Sequence, residues 1–315
     1  MIKNTENNHL VYYYNQDTEQ RWRGHDLDTT TMEIGGCTRK PLSLRAELIR
    51  NAKSLYRSYP ELTLFMSGGL DSEMALRSFW SAGIFPKLAT VKFHNDANMH
   101  DIGPMMKMLD DMQMSYTVVD FDMEEFVQSG RCYEVGARYQ AYTLYQQMLL
   151  SVAEKFSAPM ITIDDIALEK SHSKDYVTGD IEIEWVFVKK EDQDGCWRRF
   201  NDITGIPALN NFYSYSPESM LAFLQIPTVD NLINDRLLYK LGWLSSKMEI
   251  YGYLGYEFRR RPKWFGIENY THLWDIVDYN SSMKACEFNP RPYETNALRL
   301  RDNLLNGKRT ICHIA

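Results

Sequence analysis

Cysteine is scarce in this chain. Its 315 residues hold five, Cys37, Cys132, Cys196, Cys286 and Cys312, an odd number with no pair in CxxC spacing. Neither a disulfide framework nor a thiolate zinc cluster is implied, and free thiols in a reducing, cytoplasmic setting are expected. No segment approaches the roughly 20 apolar residues that cross a bilayer, so no membrane partner is expected. The opening MIKNTENNHLVYYYNQDTEQ lacks the apolar core of a secretory signal. Positive charge is in deficit: 35 Lys and Arg against 42 Asp and Glu, net −7. Such a chain is a poor general binder of nucleic acid, and only a local basic patch leaves that partner open. His172 and His313 have no partner at metal-ligand spacing. Two familiar phosphate-binding patterns, GxxxxGK[ST] and GxGxxG, are both missing.

What is present is an ordinary globular composition, 44% hydrophobic, with 20 tyrosines expected mostly in the core or in cleft walls. Residues 1–40 read as an irregular segment with one or two short strands, of which His9–Tyr14 is the clearer. From Pro41 a helical spacing of Leu44, Ala46, Leu48, Ile49 and Ala52 runs to Pro60. LTLFM (62–66), KLATVKF (87–93), SYTVVDF (115–121) and MITI (160–163) read as strands separated by helices. One of these helices is expected to span 136–156 without a break. Strands alternating with helices at these lengths mean βαβ units and a parallel sheet of about five strands. The expected organisation is an α/β domain over 41–170 and a mainly helical region over 171–315. That second region includes a hairpin in which GDIEIEWVFVKK is followed by CWRRF as its partner strand.

The junction Ser67-Gly68-Gly69-Leu70-Asp71-Ser72 joins the first of these strands to its helix. In a parallel sheet, ligands bind beyond the carboxyl ends of the strands. A helix start offers unpaired N–H groups and partial positive charge. Two glycines let the backbone approach an anion, and Ser67 and Ser72 add hydroxyl donors. The loop contains no lysine, so a phosphate held there meets amides and hydroxyls, with further charge supplied by Mg²⁺ or by distant basic residues. Asp71 suits a metal ligand or a brace of the loop better than a phosphate contact.

SGGLDS, placed after an apolar strand and before a helix, resembles the signature of the PP-loop ATP pyrophosphatases. That superfamily includes asparagine synthetase, 7-cyano-7-deazaguanine synthase and the phosphoadenylylsulfate reductases. The stretches HNDANMHDI, FVQSGRCYEVGARYQAYTLYQQ, SPESMLAFL and KMEIYGYLGYEFRRRPKWFGIENY also look like a phage-type group within it. The resemblance implies an α/β fold, a Rossmann-like parallel sheet of the adenine nucleotide alpha hydrolase-like kind with a helical C-terminal region. It implies ATP and Mg²⁺ as ligands, with Ser67, Gly68, Gly69, Leu70, Asp71 and Ser72 around the pyrophosphate. Val91 and Phe93 would flank adenine. Asn98 and Asp101 fall where related chains place polar residues, or are simple helix caps.

Several departures matter. Where asparagine synthetase carries a second glycine-rich acidic motif, this chain reads ITIDDIALEK; Asp164 and Asp165 could join Asp71 in holding Mg²⁺, but the glycines are missing. The chain opens on Met1-Ile2-Lys3, so no N-terminal cysteine serves as a glutaminase nucleophile. The reductases carry Lys where Leu70 stands, and Cys312 lacks their C-terminal motif. Arg259, Arg260, Arg261 and Lys263 form a basic stretch in a net-acidic chain. Arg261 and Lys263 are the candidates to meet the phosphates of ATP as catalytic cations, with Asp71 beside them. The expected activity is adenylation of a small-molecule acceptor with release of pyrophosphate. A reductase-like enzyme, a non-catalytic nucleotide binder and a nucleic-acid-modifying enzyme are the alternatives, and a homo-oligomer is left open.

Overall fold

Alternate residues of the strand after Leu62 face two different cores, and this organises the molecule. A computed structural model describes residues 2–6, 9–14, 31–141, 143–161, 167–174, 181–210, 212–234, 250–256, 270, 273 and 292–314. The N-terminal strands are β1 (Ile2–Glu6), β2 (Leu10–Tyr14) and β3 (Thr31–Ile34). Helix α1 (Leu44–Ser58) follows, capped by the Ser43 hydroxyl, which accepts from Ala46 N–H. Then come β4 (Thr63–Phe65), α2 (Leu70–Ser81), β5 (Lys87–Phe93), α3 (Met99–Asp111) and β6 (Thr117–Phe121). Three helices, α4 (Met123–Gln128), α5 (Arg131–Tyr139) and α6 (Leu144–Ala153), lead to β7 (Pro159–Met160).

Strands β4 to β7 form a parallel sheet in the order β6-β5-β4-β7. The sheet has four strands where about five were expected, and Leu209 adds only an isolated parallel bridge to Met160. On β4 and β5, Leu64 and Leu88 pack into one core, with Leu48, Met74 and Phe79. Their neighbours Phe65 and Ala89, together with Val91 and Phe93, pack into the other, with Leu149 and Trp197. Side chains alternate across a strand, so helices on both faces bury both sets.

A second sheet is antiparallel and joins segments far apart along the chain. Its further strands are β8 (Ala167–Lys174), β9 (Ile181–Lys190), β10 (Pro292–Asn296) and β11 (Thr310–Ile314). The order is β1-β2-β3-β11-β10-β9-β8. The hairpin partner of β9 is β8, which precedes it, and not CWRRF. CWRRF lies instead in α7 (Glu191–Thr204), where Cys196, Trp197 and Phe200 are buried together at helical spacing. The unbroken helix expected over 136–156 is also two helices. Gln140 turns left-handed at φ 58° to end α5, and Thr143 opens α6 with a reciprocal capping box to Gln146.

Helix α8 (Pro217–Leu224) has Ser216 as N-cap, Pro217 in its first turn and Glu218 close behind, as its sequence predicts. The Glu218 carboxylate accepts from both the N–H and the hydroxyl of Thr38, which ties this helix to the segment before α1. Helices α9 (Pro227–Asn234) and α10 (Ala297–Leu305) follow, and a 3-10 turn, His94–Asp96, lies between β5 and α3. No helix among the described residues is long and apolar enough to cross a membrane.

Candidate functional site

The Ser67–Ser72 loop sits where the order of the parallel sheet reverses. Chain progress runs from β4 outward to β5 and β6, then returns to place β7 on the other side of β4. In open α/β sheets that reversal opens a crevice at the carboxyl ends of the strands. Met66 N–H still bonds Ala89 C=O at 2.7 Å, and the Thr90 hydroxyl donates to Met66 C=O at 2.9 Å. The loop therefore leaves the sheet abruptly at Ser67, which is exposed.

Gly68 takes φ +79°, and a Cβ there would stand 2.3 Å from the Asp101 carbonyl oxygen at the start of α3. Gly69 is extended and caps α2 without a side chain. The Ser67 hydroxyl accepts from Gly69 N–H at 3.3 Å. The buried Ser72 hydroxyl donates to Gly69 C=O at 3.0 Å and accepts from Ser67 N–H at 3.3 Å. The first intrahelical bond runs from Glu73 N–H to Gly69 C=O, so the amides of Leu70, Asp71 and Ser72 lie ahead of it. Such amides and the helix dipole favour an anion. The nearby cation on α2, Arg77, is engaged by the buried Glu73 carboxylate at 2.6 Å.

Asp71 is held by hydrogen bonds from two tyrosines. One carboxylate oxygen accepts from the Tyr251 hydroxyl, and its main-chain carbonyl accepts from the Tyr213 hydroxyl at 3.3 Å. The two hydroxyls are 3.0 Å apart and their rings stack, with centroids separated by 6.2 Å.

Val91 and Phe93 are buried at the end of β5. Asn98 spans them: its amide group donates to Val91 C=O and its carbonyl accepts from Phe93 N–H, both at 2.9 Å. Asn98 is also the N-cap residue of α3, although its buried side chain makes no capping bond. Val91 and Phe93 form a packed floor at the strand end, with the Tyr270 ring edge-on to Phe93 at 5.9 Å. Asp101 gives its carbonyl to the close approach of Gly68, and its charge, after burial, helps push the Tyr145 hydroxyl up to about 12.

At the same edge of the sheet, His94 Nδ1 lies 2.9 Å from a carboxylate oxygen of Asp122. The other Asp122 oxygen caps α4 by accepting from Glu125 N–H. Sequence reading missed this pair and the two tyrosines on Asp71, because no local spacing connects residues so far apart.

Asp164 and Asp165 lie outside the described residues, as do Arg259, Arg260, Arg261 and Lys263. The flanks of the basic stretch are placed. The Tyr256 hydroxyl is 2.8 Å from the Ser81 hydroxyl at the end of α2, and the Tyr270 hydroxyl donates to His94 C=O beyond β5. Cys312 is fully buried in β11, where burial pushes its thiol up to about 12. No group of three or more metal-ligating side chains occurs among the described residues. No protein-family model matches the chain, and a search of curated proteins finds no significant match.

Proposed function

We propose that the chain is a PP-loop ATP pyrophosphatase with an adenine nucleotide alpha hydrolase-like sheet. The observation that carries this reading is the place of SGGLDS: it leaves β4, the strand at which the order reverses, and opens α2. The amides of Leu70 to Ser72 and the Ser67 hydroxyl suit a pyrophosphate group. Gly68 suits them indirectly, by letting the loop lie against α3.

In this reading a substrate oxygen attacks the α-phosphorus of ATP, the bond to the β-phosphate oxygen breaks, and pyrophosphate leaves. An amine, ammonia or a sulfur nucleophile then displaces AMP from the adenylated acceptor. The loop holds the leaving group in place, and positioning of this kind supplies a large part of such catalysis. Arg261 and Lys263 carry the cationic charge that the loop lacks. Mg²⁺, when bound, would screen the phosphates, with Asp164 and Asp165 as its acids. Asp71, engaged by Tyr251, keeps the loop in register.

The reductase-like alternative needs a reactive thiol. Burial of Cys312 counts against that role, because the thiolate is the nucleophile. The test is incubation with α-labelled ATP, Mg²⁺ and a panel of carboxylate, amide and nucleobase acceptors. AMP with pyrophosphate is the expected product pair. ADP with phosphate, or no nucleotide bound at all, would remove the proposal.

A further inference from the structure

Two hydroxyls from the C-terminal half converge on one residue of the loop. Tyr213 and Tyr251 are both nine-tenths or more buried. They stand 142 and 180 positions from Asp71 along the chain, yet one bonds its carbonyl and the other its carboxylate. Apolar packing alone asks only for two stacked rings, which phenylalanine supplies equally well. Buried hydroxyls need partners, and here each bonds Asp71, in the first turn of α2, as well as the other hydroxyl. The segment bearing Tyr251 also lies along that helix: Tyr256 bonds Ser81, ten residues and about 15 Å further on.

We infer that Tyr251, backed by Tyr213, is a positioning residue that sets the phosphate-facing amides of the loop and so couples nucleotide affinity to docking of residues 250–256 on α2. The inference rests on the ATP-binding reading above. A carboxylate with a fixed hydroxyl donor holds its own backbone, and the amides at stake are those of Asp71 and its two neighbours. Linkage makes the coupling reciprocal: whatever docking of 250–256 does for ATP, ATP does for docking.

The experiment is calorimetric titration of the full chain with MgATP, with hydrogen exchange followed on the same samples. Tyr251→Phe is expected to weaken MgATP about tenfold, the scale of a hydrogen bond to a charged group, while the thermal midpoint falls by only about 5 °C, so the variant stays folded at the titration temperature. Asp71→Ala should lose about as much, and Asp71→Ala combined with Tyr251→Phe no more than either alone. Asp71→Asn keeps a carbonyl acceptor for the tyrosine and should stay within about threefold of wild type. MgATP should slow amide exchange in 250–256 in wild type and not in Tyr251→Phe. If Tyr251→Phe does not fold, Tyr213→Phe carries the same test, with a loss of about threefold expected.

Unchanged affinity in the tyrosine variant, or losses that multiply in the double variant, would overturn the coupling and leave the ATP reading standing. A wild-type chain that binds no MgATP would take both away.

Discussion

Gly68 and the carbonyl of Asp101 approach so closely that a Cβ on the glycine would sit 2.3 Å from the oxygen. The same residue holds φ +79°, a conformation that costs an L-residue about 1–2 kcal/mol. Gly68→Ala is therefore expected to destabilise the fold by about 2–4 kcal/mol, strain and overpacking together. Gly69 is extended, and its Cβ would meet only the Ser67 hydroxyl at 3.3 Å. Gly69→Ala should leave stability within about 1 kcal/mol and weaken MgATP several-fold by displacing that hydroxyl. Urea unfolding beside nucleotide titration separates the two glycines.

The serines divide in the same way. Ser67 is exposed and Ser72 is buried, with a hydroxyl that links Ser67 and Gly69. Ser72→Ala should cost about 1–2 kcal/mol of stability, since it strands buried partners. Ser67→Ala should cost almost none and yet weaken nucleotide binding. Combined with Asp71→Ala it should abolish turnover. Retained turnover in that double variant would refute the site.

Asn98 is predicted to be structural. Asn98→Ala leaves Val91 C=O and Phe93 N–H without their partner at a buried strand end. The expected cost is about 2–4 kcal/mol, read from the shift in urea midpoint. Asn98→Asp should also destabilise, because a carboxylate cannot donate to Val91 C=O.

Arg261 and Lys263 are predicted to act on the chemical step. Alanine at either position should lower kcat for pyrophosphate release by about 100-fold, with a smaller change in KM for ATP, as expected of charge that stabilises a departing anion. Arg261→Lys should recover little if the guanidinium binds phosphate through two donors. A coupled pyrophosphate assay measures both constants, and equal losses in KM alone would assign these residues to binding.

Stability should decline in alkali. Burial pushes the Cys312 thiol from 9.0 up to about 12, and burial with the charge of Glu218 does the same to Cys37. Both thiols stay protonated in the folded chain while the unfolded chain loses its protons from about pH 9 upward. The unfolded state then binds fewer protons, so this contribution is intact below pH 9 and is lost as pH rises toward 12. Urea midpoints at about pH 8 and about pH 10.5 should show the fall, and Cys312→Ser should flatten it.

Much of the layout was legible from local pattern. KLATVKF is β5 residue for residue. Ser216, Pro217 and Glu218 open α8, and Gly83, at φ +75°, follows the end of α2. These signals are local because caps, turns and short apolar runs act within a few residues. CWRRF was not legible: five residues without a full period fit a strand or a helix, and packing of Trp197 against Phe200 at 6.0 Å goes with the helix. The break at Gln140 escaped for a similar reason, since helical spacing continues across it while the cap at Thr143 competes.

The sequence by itself determined that a glycine pair flanked by serines would join a buried strand to a helix, because backbone freedom and capping belong to neighbouring residues. Only the tertiary structure decided which side chains hold Asp71, where Gly68 must stay bare, and which distant strands share the antiparallel sheet. Those outcomes depend on pairs separated by tens to hundreds of residues, such as Tyr251 with Asp71 and β11 with β3. A contact across such a separation is settled when surfaces pack, and it leaves no period in the chain.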